Sequence, residues 1–353
     1  MLYNKLKFLK YILLPFQIIY SIIIIVRNIL YNTNTLHILH ASPLIISIGN
    51  LNVGGTGKTP MTEYLIKLFK DRKTAILSKG YKRKTKDFII ANKEHSSLEI
   101  GDENRQLYAK FPHTIIACDN NRVNGIKALI KYDPAIDVVI LDDAFQHRKL
   151  YRDIDILLTE HRDLFIQDQL LPIGRLREHK KEAKRADIII ITKCPKNISY
   201  SEISLIKTKI KPTMKQKIYF SYIEEPKYIN SKSLQEVTIN KHETHVLITG
   251  IANTDLLLNN LINKNINYVH FKFKDHQRLT DKNILKIIEL TKNKNTSKNL
   301  LLTEKDYYRL SEKHKKKLQQ HFQLICIKIQ FNFIELDKSD FNNELLNFKK
   351  SKI

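Results

Sequence analysis

Lys58 and Thr59, directly behind Gly54, Gly55 and Gly57, are residues of the kind and spacing that hold phosphate. Glycines leave successive backbone N–H groups free to close on phosphate oxygens, and a following helix N-terminus adds partial positive charge. In such a loop Lys58 reaches the β- and γ-phosphates of a nucleotide and Thr59 offers its hydroxyl to Mg²⁺. The stretch Asn52-Val53-Gly54-Gly55-Thr56-Gly57-Lys58-Thr59 departs from the usual pattern at position 52, where asparagine replaces glycine. We read it as a variant nucleotide-binding loop.

Acidic residues supply the next chemistry. Val138-Val139-Ile140-Leu141 runs into Asp142 and Asp143, a buried-strand pattern ending in paired acids. Two adjacent carboxylates repel unless a cation sits by them, so Asp142 is the first choice for Mg²⁺. Gly101-Asp102-Glu103-Asn104 offers a carboxylate that could orient or deprotonate a hydroxyl, although the same turn could simply cap a helix. The segment from Leu171 to Glu178 pairs Arg175 and Arg177 with an acid, a set suited to clamping a transferring phosphate. His276 stands beside Asp275, as a proton acceptor, an orienter or a structural histidine. Thr303-Glu304-Lys305-Asp306 is equally polar, and spacing alone gives it no role.

These groups need a scaffold that brings them together. Apolar runs at 44–48, 74–77, 114–117, 138–141, 154–158 and 188–191 alternate with helical material, including 64–69. The spacing predicts an α/β fold with a P-loop NTPase-like doubly wound parallel sheet and the ligand at its strands' carboxyl ends. A second series at 246–248, 268–273, 300–302 and 324–329 predicts a smaller α/β domain closing over the cleft. The expected division is 1–36 as a membrane-associated helix, 37–195 as the nucleotide domain and 196–353 as the second domain, with the junction near Pro195.

The amino terminus has its own signal. Tyr11 to Val26 carries no charge, follows Lys5, Lys7 and Lys10, and precedes Arg27. Sixteen residues are short of the roughly 20 that cross a bilayer, and Pro15 interrupts the run, so a half-embedded anchor is expected. No Ala-x-Ala-like cleavage site follows. The net charge of +24, from 60 Lys and Arg against 36 Asp and Glu, favours anionic partners, unless the Lys-rich composition merely spreads charge evenly. The three cysteines show no zinc or disulfide spacing and suit a reducing compartment.

Taken in order, SIGNLNVGGTGKTP (47–60), LSKGYKRK (77–84), GDEN (101–104), DDAFQHRKLYRD (142–153), LLPIGRLRE (170–178), FKDHQ (273–277) and LLTEKD (301–306) resemble the tetraacyldisaccharide 4′-kinase family of lipid A biosynthesis. The resemblance implies transfer of the ATP γ-phosphate, with Mg²⁺, to the 4′-hydroxyl of a tetraacyldisaccharide 1-phosphate. It implies Asp102 as the base, assisted by His276 from the other domain; Lys58 on the phosphates; and Thr59, Asp142 and Asp143 at the metal. It puts Arg177 and Glu178 near the phosphates or metal. It further implies work at an anionic membrane surface, on the cytoplasmic face of the bacterial inner membrane, without nucleic acid or an obligatory protein partner. Ala144, Gln277, Lys79 and Lys82 depart from the common family pattern. The other reading left open is a deviant-loop ATPase switch acting on membrane or DNA partners. Val53 stands where such switches carry lysine, which counts against it.

Overall fold

A computed structural model describes residues 2–292, 296–334 and 336–348. The strands are β1 (Leu44–Asn50), β2 (Thr74–Ser78), β3 (Ile89–Ile90), β4 (Ile115–Cys118), β5 (Val138–Asp142), β6 (Ile154–Glu160), β7 (Ile188–Cys194), β8 (Lys217–Ile223), β9 (Lys227–Asn230), β10 (Thr244–Thr249), β11 (Asn267–Lys272), β12 (Thr296–Thr303), β13 (Gln323–Lys328) and β14 (Phe331–Phe333). The helices are α1 (Leu2–Asn32), α2 (Lys58–Leu68), α3 (Ser97–Ile100), α4 (Asp102–Lys110), α5 (Arg122–Tyr132), α6 (Tyr200–Ile210), α7 (Asp255–Asn263), α8 (Asp281–Lys292), α9 (Glu304–Arg309), α10 (Glu312–Gln319) and α11 (Leu336–Leu346).

All six apolar runs of the first half enter one nine-stranded sheet of order β14-β8-β7-β6-β1-β5-β2-β4-β3. Its central strands are parallel, and antiparallel β3 and β14 close the two edges. Helices cover both faces, so β1 and β5 are buried at every position and β7 at all but Lys193, rather than at alternate ones. The second series forms a five-stranded sheet of order β11-β10-β12-β13-β9, again parallel apart from edge strand β9.

The expected junction near Pro195 is displaced. Beyond it, α6 and β8 still belong to the first domain, because β8 pairs with β7 from Ile188↔Lys217 onward and buries Tyr219 and Phe220. The chain then builds the second domain from β9 to β13 and returns: β14 pairs with β8, and Phe341 and Leu345 of α11 complete the first core. The polar turn after Pro195 resembles a linker, but the apolar face of β8 can be covered only on the first sheet.

Helix α1 runs through Pro15 without a break. By length and composition Tyr11 to Asn32, 22 residues that include Arg27, are enough to cross a membrane, a longer stretch than the sixteen uncharged residues alone. From Gln17 onward, however, one side is fastened to the first domain. Gln17 donates to Leu170 O, Tyr20 to Arg177 O, and Ser21 pairs with His179 Nε2. Arg148 reaches back to Asn28 O and Asn32 Oδ1. Residues 17, 20, 21, 24, 28 and 31 share that stripe at helical spacing. Ile12, Phe16, Ile19, Ile23 and Val26 form the opposite, exposed apolar face.

Candidate active site

The phosphate loop leaves β1 and enters α2, as its sequence requires. Gly57, at φ 95, adopts the left-handed conformation that starts α2, and Gly54 lies at φ 145. A side chain on Gly54 or Gly55 would meet open space, so these two glycines border room for a ligand. The end of β7 braces the loop: Thr192 donates to Thr56 O at 2.9 Å and Lys193 to Gly55 O at 2.8 Å. Asn52 is placed differently from the expectation. It is buried, donates to Asp168 Oδ2 at 3.0 Å and bridges to Leu176, so its side chain holds the loop rather than a phosphate. The Val53 N–H is also spent within the protein, on Arg175 O at 2.8 Å.

Lys58, Asp142, Asp143 and Arg177 converge beside this loop. Arg177 grips Asp143 with both terminal nitrogens, at 2.8 and 3.1 Å, and also bonds Asn50. Lys58 lies 3.3 Å from Asn50 Oδ1 and 3.6 Å from Asp143. Burial works against the Asp143 charge, but Lys58 and Arg177 outweigh it and bring its pKa down to about 2. Burial, with Glu103 nearby, pushes Asp142 up to about 6. Asp142 Oδ1 is buried without a hydrogen-bond partner. An orphaned carboxylate oxygen beside a phosphate loop fits a cation, since no donor satisfies it although Lys58 and Arg122 act on its charge from a distance.

Among the described residues no three His, Cys, Asp or Glu side chains converge as a ready-made metal cage. That suits Mg²⁺, which usually takes one or two carboxylates and completes its shell with water and substrate phosphates. Glu178 does not fit the metal role. It is 0% exposed, with Oε1 held by Arg27 of α1 and Oε2 by Arg185, so both oxygens are committed to arginines. Its neighbour Arg177 faces the site, while Glu178 locks the amino-terminal helix.

Asp102 and His276, 174 residues apart, are brought together across the domains: His276 Nδ1 lies 3.0 Å from Asp102 Oδ2. Arg309 of α9 adds a bond to the same oxygen at 2.8 Å. Burial would raise the Asp102 pKa, but the His276 hydrogen bond and the Arg309 charge hold it below the usual carboxylate range. The expected capping role for Asp102 is absent, since the α4 N-cap is Gly101 and no side chain caps it. Gln277 accepts from Lys274 N and shapes the His276 turn. Ala144 costs nothing, because the positive φ in that loop falls on Asp143. Lys79 is exposed, and Tyr81 packs edge-on against His276 at 5.2 Å.

Several residues of this site carried no assignable role in the sequence. Glu103 pairs with Lys305 at 2.9 Å and lies within electrostatic reach of Lys58, Asp142 and His276, so it links the two halves. Glu304 pairs with Lys110, which also holds Glu63 of α2. Thr303 caps α9 and bonds Asp306. The polar run 303–306 is therefore the clasp that seats the second domain on α4. Its polarity was visible in the sequence, whereas its partners, some 200 residues away, were not. Arg309 had only its helical spacing from Asp306 as a signal.

Comparison with known proteins identifies the family. The family model described as Tetraacyldisaccharide-1-P 4′-kinase matches residues 9–349. The tetraacyldisaccharide 4′-kinase of Flavobacterium johnsoniae is 38% identical over 350 residues, 98% of each chain. That of Bacteroides thetaiotaomicron is 36% identical over 95% of this chain and 92% of its own. A crystal structure of LpxK from Aquifex aeolicus in complex with ATP superposes with a TM-score of 0.75 at 29% identity, covering 96% of this chain and 99% of that one. The match is to kinases along the whole chain, which leaves the ATPase-switch reading unfavoured. This chain belongs to the tetraacyldisaccharide-1-P 4′-kinase family.

Proposed function

We infer that this chain transfers the γ-phosphoryl group of ATP to the 4′-hydroxyl of a tetraacyldisaccharide 1-phosphate, a step of lipid A biosynthesis. The observation that carries this reading is the meeting of two sites: a phosphate loop whose Lys58 lies by Asp143 and within electrostatic reach of Asp142, and across the domain cleft a carboxylate, Asp102, gripped by His276. A nucleotide switch needs the first alone; a kinase also needs a group to orient or accept the acceptor's proton.

In this mechanism the backbone of residues 54–57 and the α2 N-terminus cradle the nucleotide phosphates. Lys58 neutralises charge on the β- and γ-oxygens, and Arg177, anchored through Asp143 and Asn50, stands beside it. Thr59 and Asp142 would hold Mg²⁺, which supplies charge neutralisation on the phosphates when bound. Asp102 accepts the proton of the attacking hydroxyl, and His276 orients that carboxylate. Positioning and charge neutralisation contribute most of the rate, with proton transfer worth about 10² to 10⁴.

The acceptor is a lipid, and α1 provides a place to meet it. An open groove of about 1180 Å³ lies between α1 and residues 168–181, with Leu14, Ile18, Ile22 and Ile173 on its walls and Lys180 and Lys181 among its lining. Apolar walls suit acyl chains and the lysines suit an anionic headgroup. The exposed face of α1 supports peripheral or monotopic attachment to the cytoplasmic face of the inner membrane, where ATP is supplied.

The test is incubation of purified protein with γ-labelled ATP, Mg²⁺ and tetraacyldisaccharide 1-phosphate. Label in the lipid is the expected result. Label appearing only in free phosphate would overturn the reading.

A further inference from the structure

Arg309 occupies the last position of α9 and is buried. Its Nε donates to Asp102 Oδ2 at 2.8 Å, while Nη1 donates to Gly250 O at 2.9 Å and to Asp306 Oδ1 at 3.0 Å. Gly250 O also accepts the His276 N–H at 3.1 Å. The backbone of His276 lies at φ 58, a conformation that a β-carbon disfavours and that surrounding bonds must therefore hold. One guanidinium thus reaches both partners of the pair: the Asp102 carboxylate directly, and His276 through the carbonyl that fixes its backbone.

The rest of the network is built to keep that guanidinium still. Asp306 Oδ1 accepts from Gly250 N at 3.0 Å, and Asp306 Oδ2 accepts from Thr303 Oγ1 at 2.6 Å. A β-carbon at position 250 would sit 3.0 Å from Arg309 Nη1 and 3.1 Å from Asp306 Oδ1, so only glycine allows this approach without displacing them. On the other side, Asp102 Oδ1 has the Arg278 guanidinium 3.8 Å away. Oδ2 is therefore taken by two donors of the second domain, and Oδ1 is the oxygen left for an acceptor hydroxyl.

We propose that Arg309 is a positioning residue for phosphoryl transfer, fixing the Asp102 carboxylate and the His276 backbone in one network that exists only when the second domain is seated on α4. This rests on the kinase reading above. A planar, permanently charged fork suits the task, because it holds two acceptors in a set relative geometry where an ammonium can satisfy them only loosely. The opposing account is a plain staple between domains, in which loss of Arg309 weakens the fold irrespective of Asp102.

A double-mutant cycle with Arg309→Met and Asp102→Asn, read as label transferred to lipid, separates the two. Loss of a charge-assisted bond to the carboxylate should lower kcat about 10- to 100-fold in the Asp102 enzyme, with the KM for ATP little changed. In the Asp102→Asn background the same substitution should cost less than about threefold, since the carboxylate it serves is gone. Arg309→Lys keeps the charge without the fork, so it should fold and show a smaller kcat loss, again confined to the Asp102 enzyme. It carries the test alone if Arg309→Met does not fold. Equal losses in both backgrounds, a loss wholly in the KM for ATP, or Arg309→Lys indistinguishable from wild type would each overturn the proposal. Wild-type protein that labels no lipid would refute the kinase reading first, and this inference with it.

Discussion

Replacing Glu178 with glutamine separates two roles for a single carboxylate. In the structure Glu178 is fully buried and bonded by Arg27 on one oxygen and Arg185 on the other. Arg185 is itself mostly buried, with its guanidinium 4.4 Å over the Phe145 ring. A glutamine amide turns one acceptor into a donor facing a guanidinium that can only donate; it takes the carboxylate from Arg27 and leaves Arg185 with Glu182 alone, at 3.1 Å. Removing one partner of a buried pair costs about 3 to 5 kcal/mol. The Arg27 side chain is 33% exposed, so water recovers part of its share and the lower end, about 3 kcal/mol, is expected. For a domain of this size that is about 6 to 12 °C in melting temperature. The assay is thermal unfolding of Glu178→Gln in detergent micelles, beside a Mg²⁺ titration of kinase activity. A wild-type melting temperature combined with a raised Mg²⁺ requirement would refute the clasp and restore Glu178 to the metal.

Three further outcomes follow from the same geometry. Lys58→Met should lower kcat about 10²- to 10³-fold, measured as labelled lipid, because in the proposed mechanism it removes a cation that neutralises the phosphate oxygens; a loss under tenfold would remove Lys58 from that role. The folded pKa of Asp102 is depressed, so its stabilisation is complete above the ordinary carboxylate pKa of about 4 and is lost as pH falls through the lower folded value. The melting-temperature gap between wild type and Asp102→Asn should therefore be widest near neutral pH and narrow at the acid end, and a constant gap would contradict the pairing. On α1, Ile19 and Ile23 are 56% and 58% exposed, so changing both to aspartate should weaken sedimentation with anionic vesicles at least about tenfold while the melting temperature stays unchanged. Undiminished vesicle binding would place the membrane contact elsewhere.

Much of the nucleotide half was legible because its signals are local. The strand, glycine turn and helix of residues 44–68 are contiguous, and the apolar run into Asp142 marks both a buried strand and its carboxyl end. Where the linear reading went astray, the deciding partner was distant. Asn52 looked like part of the cradle until Asp168 was seen to hold it. Glu178 looked like a metal ligand because it follows Arg177, yet its two oxygens are held by Arg27 of α1 and Arg185, while Arg177 bonds Asp143. Pro195 looked like a boundary because β8 declares its sheet only through pairing with β7.

The sequence by itself determined the phosphate loop, the strand-end acids, the two α/β series and an apolar amino-terminal helix, all properties of residues close together along the chain. Only the tertiary structure decided which side of α1 is fastened to the protein, that the chain returns to finish its first sheet, and that Glu103, Arg309 and the run 303–306 join the site. The physical reason is that a buried charge must find its counter-charge wherever the fold brings one. Asp102 meets His276 and Arg309 across 174 and 207 residues, a pairing that chain closure creates and no local spacing encodes.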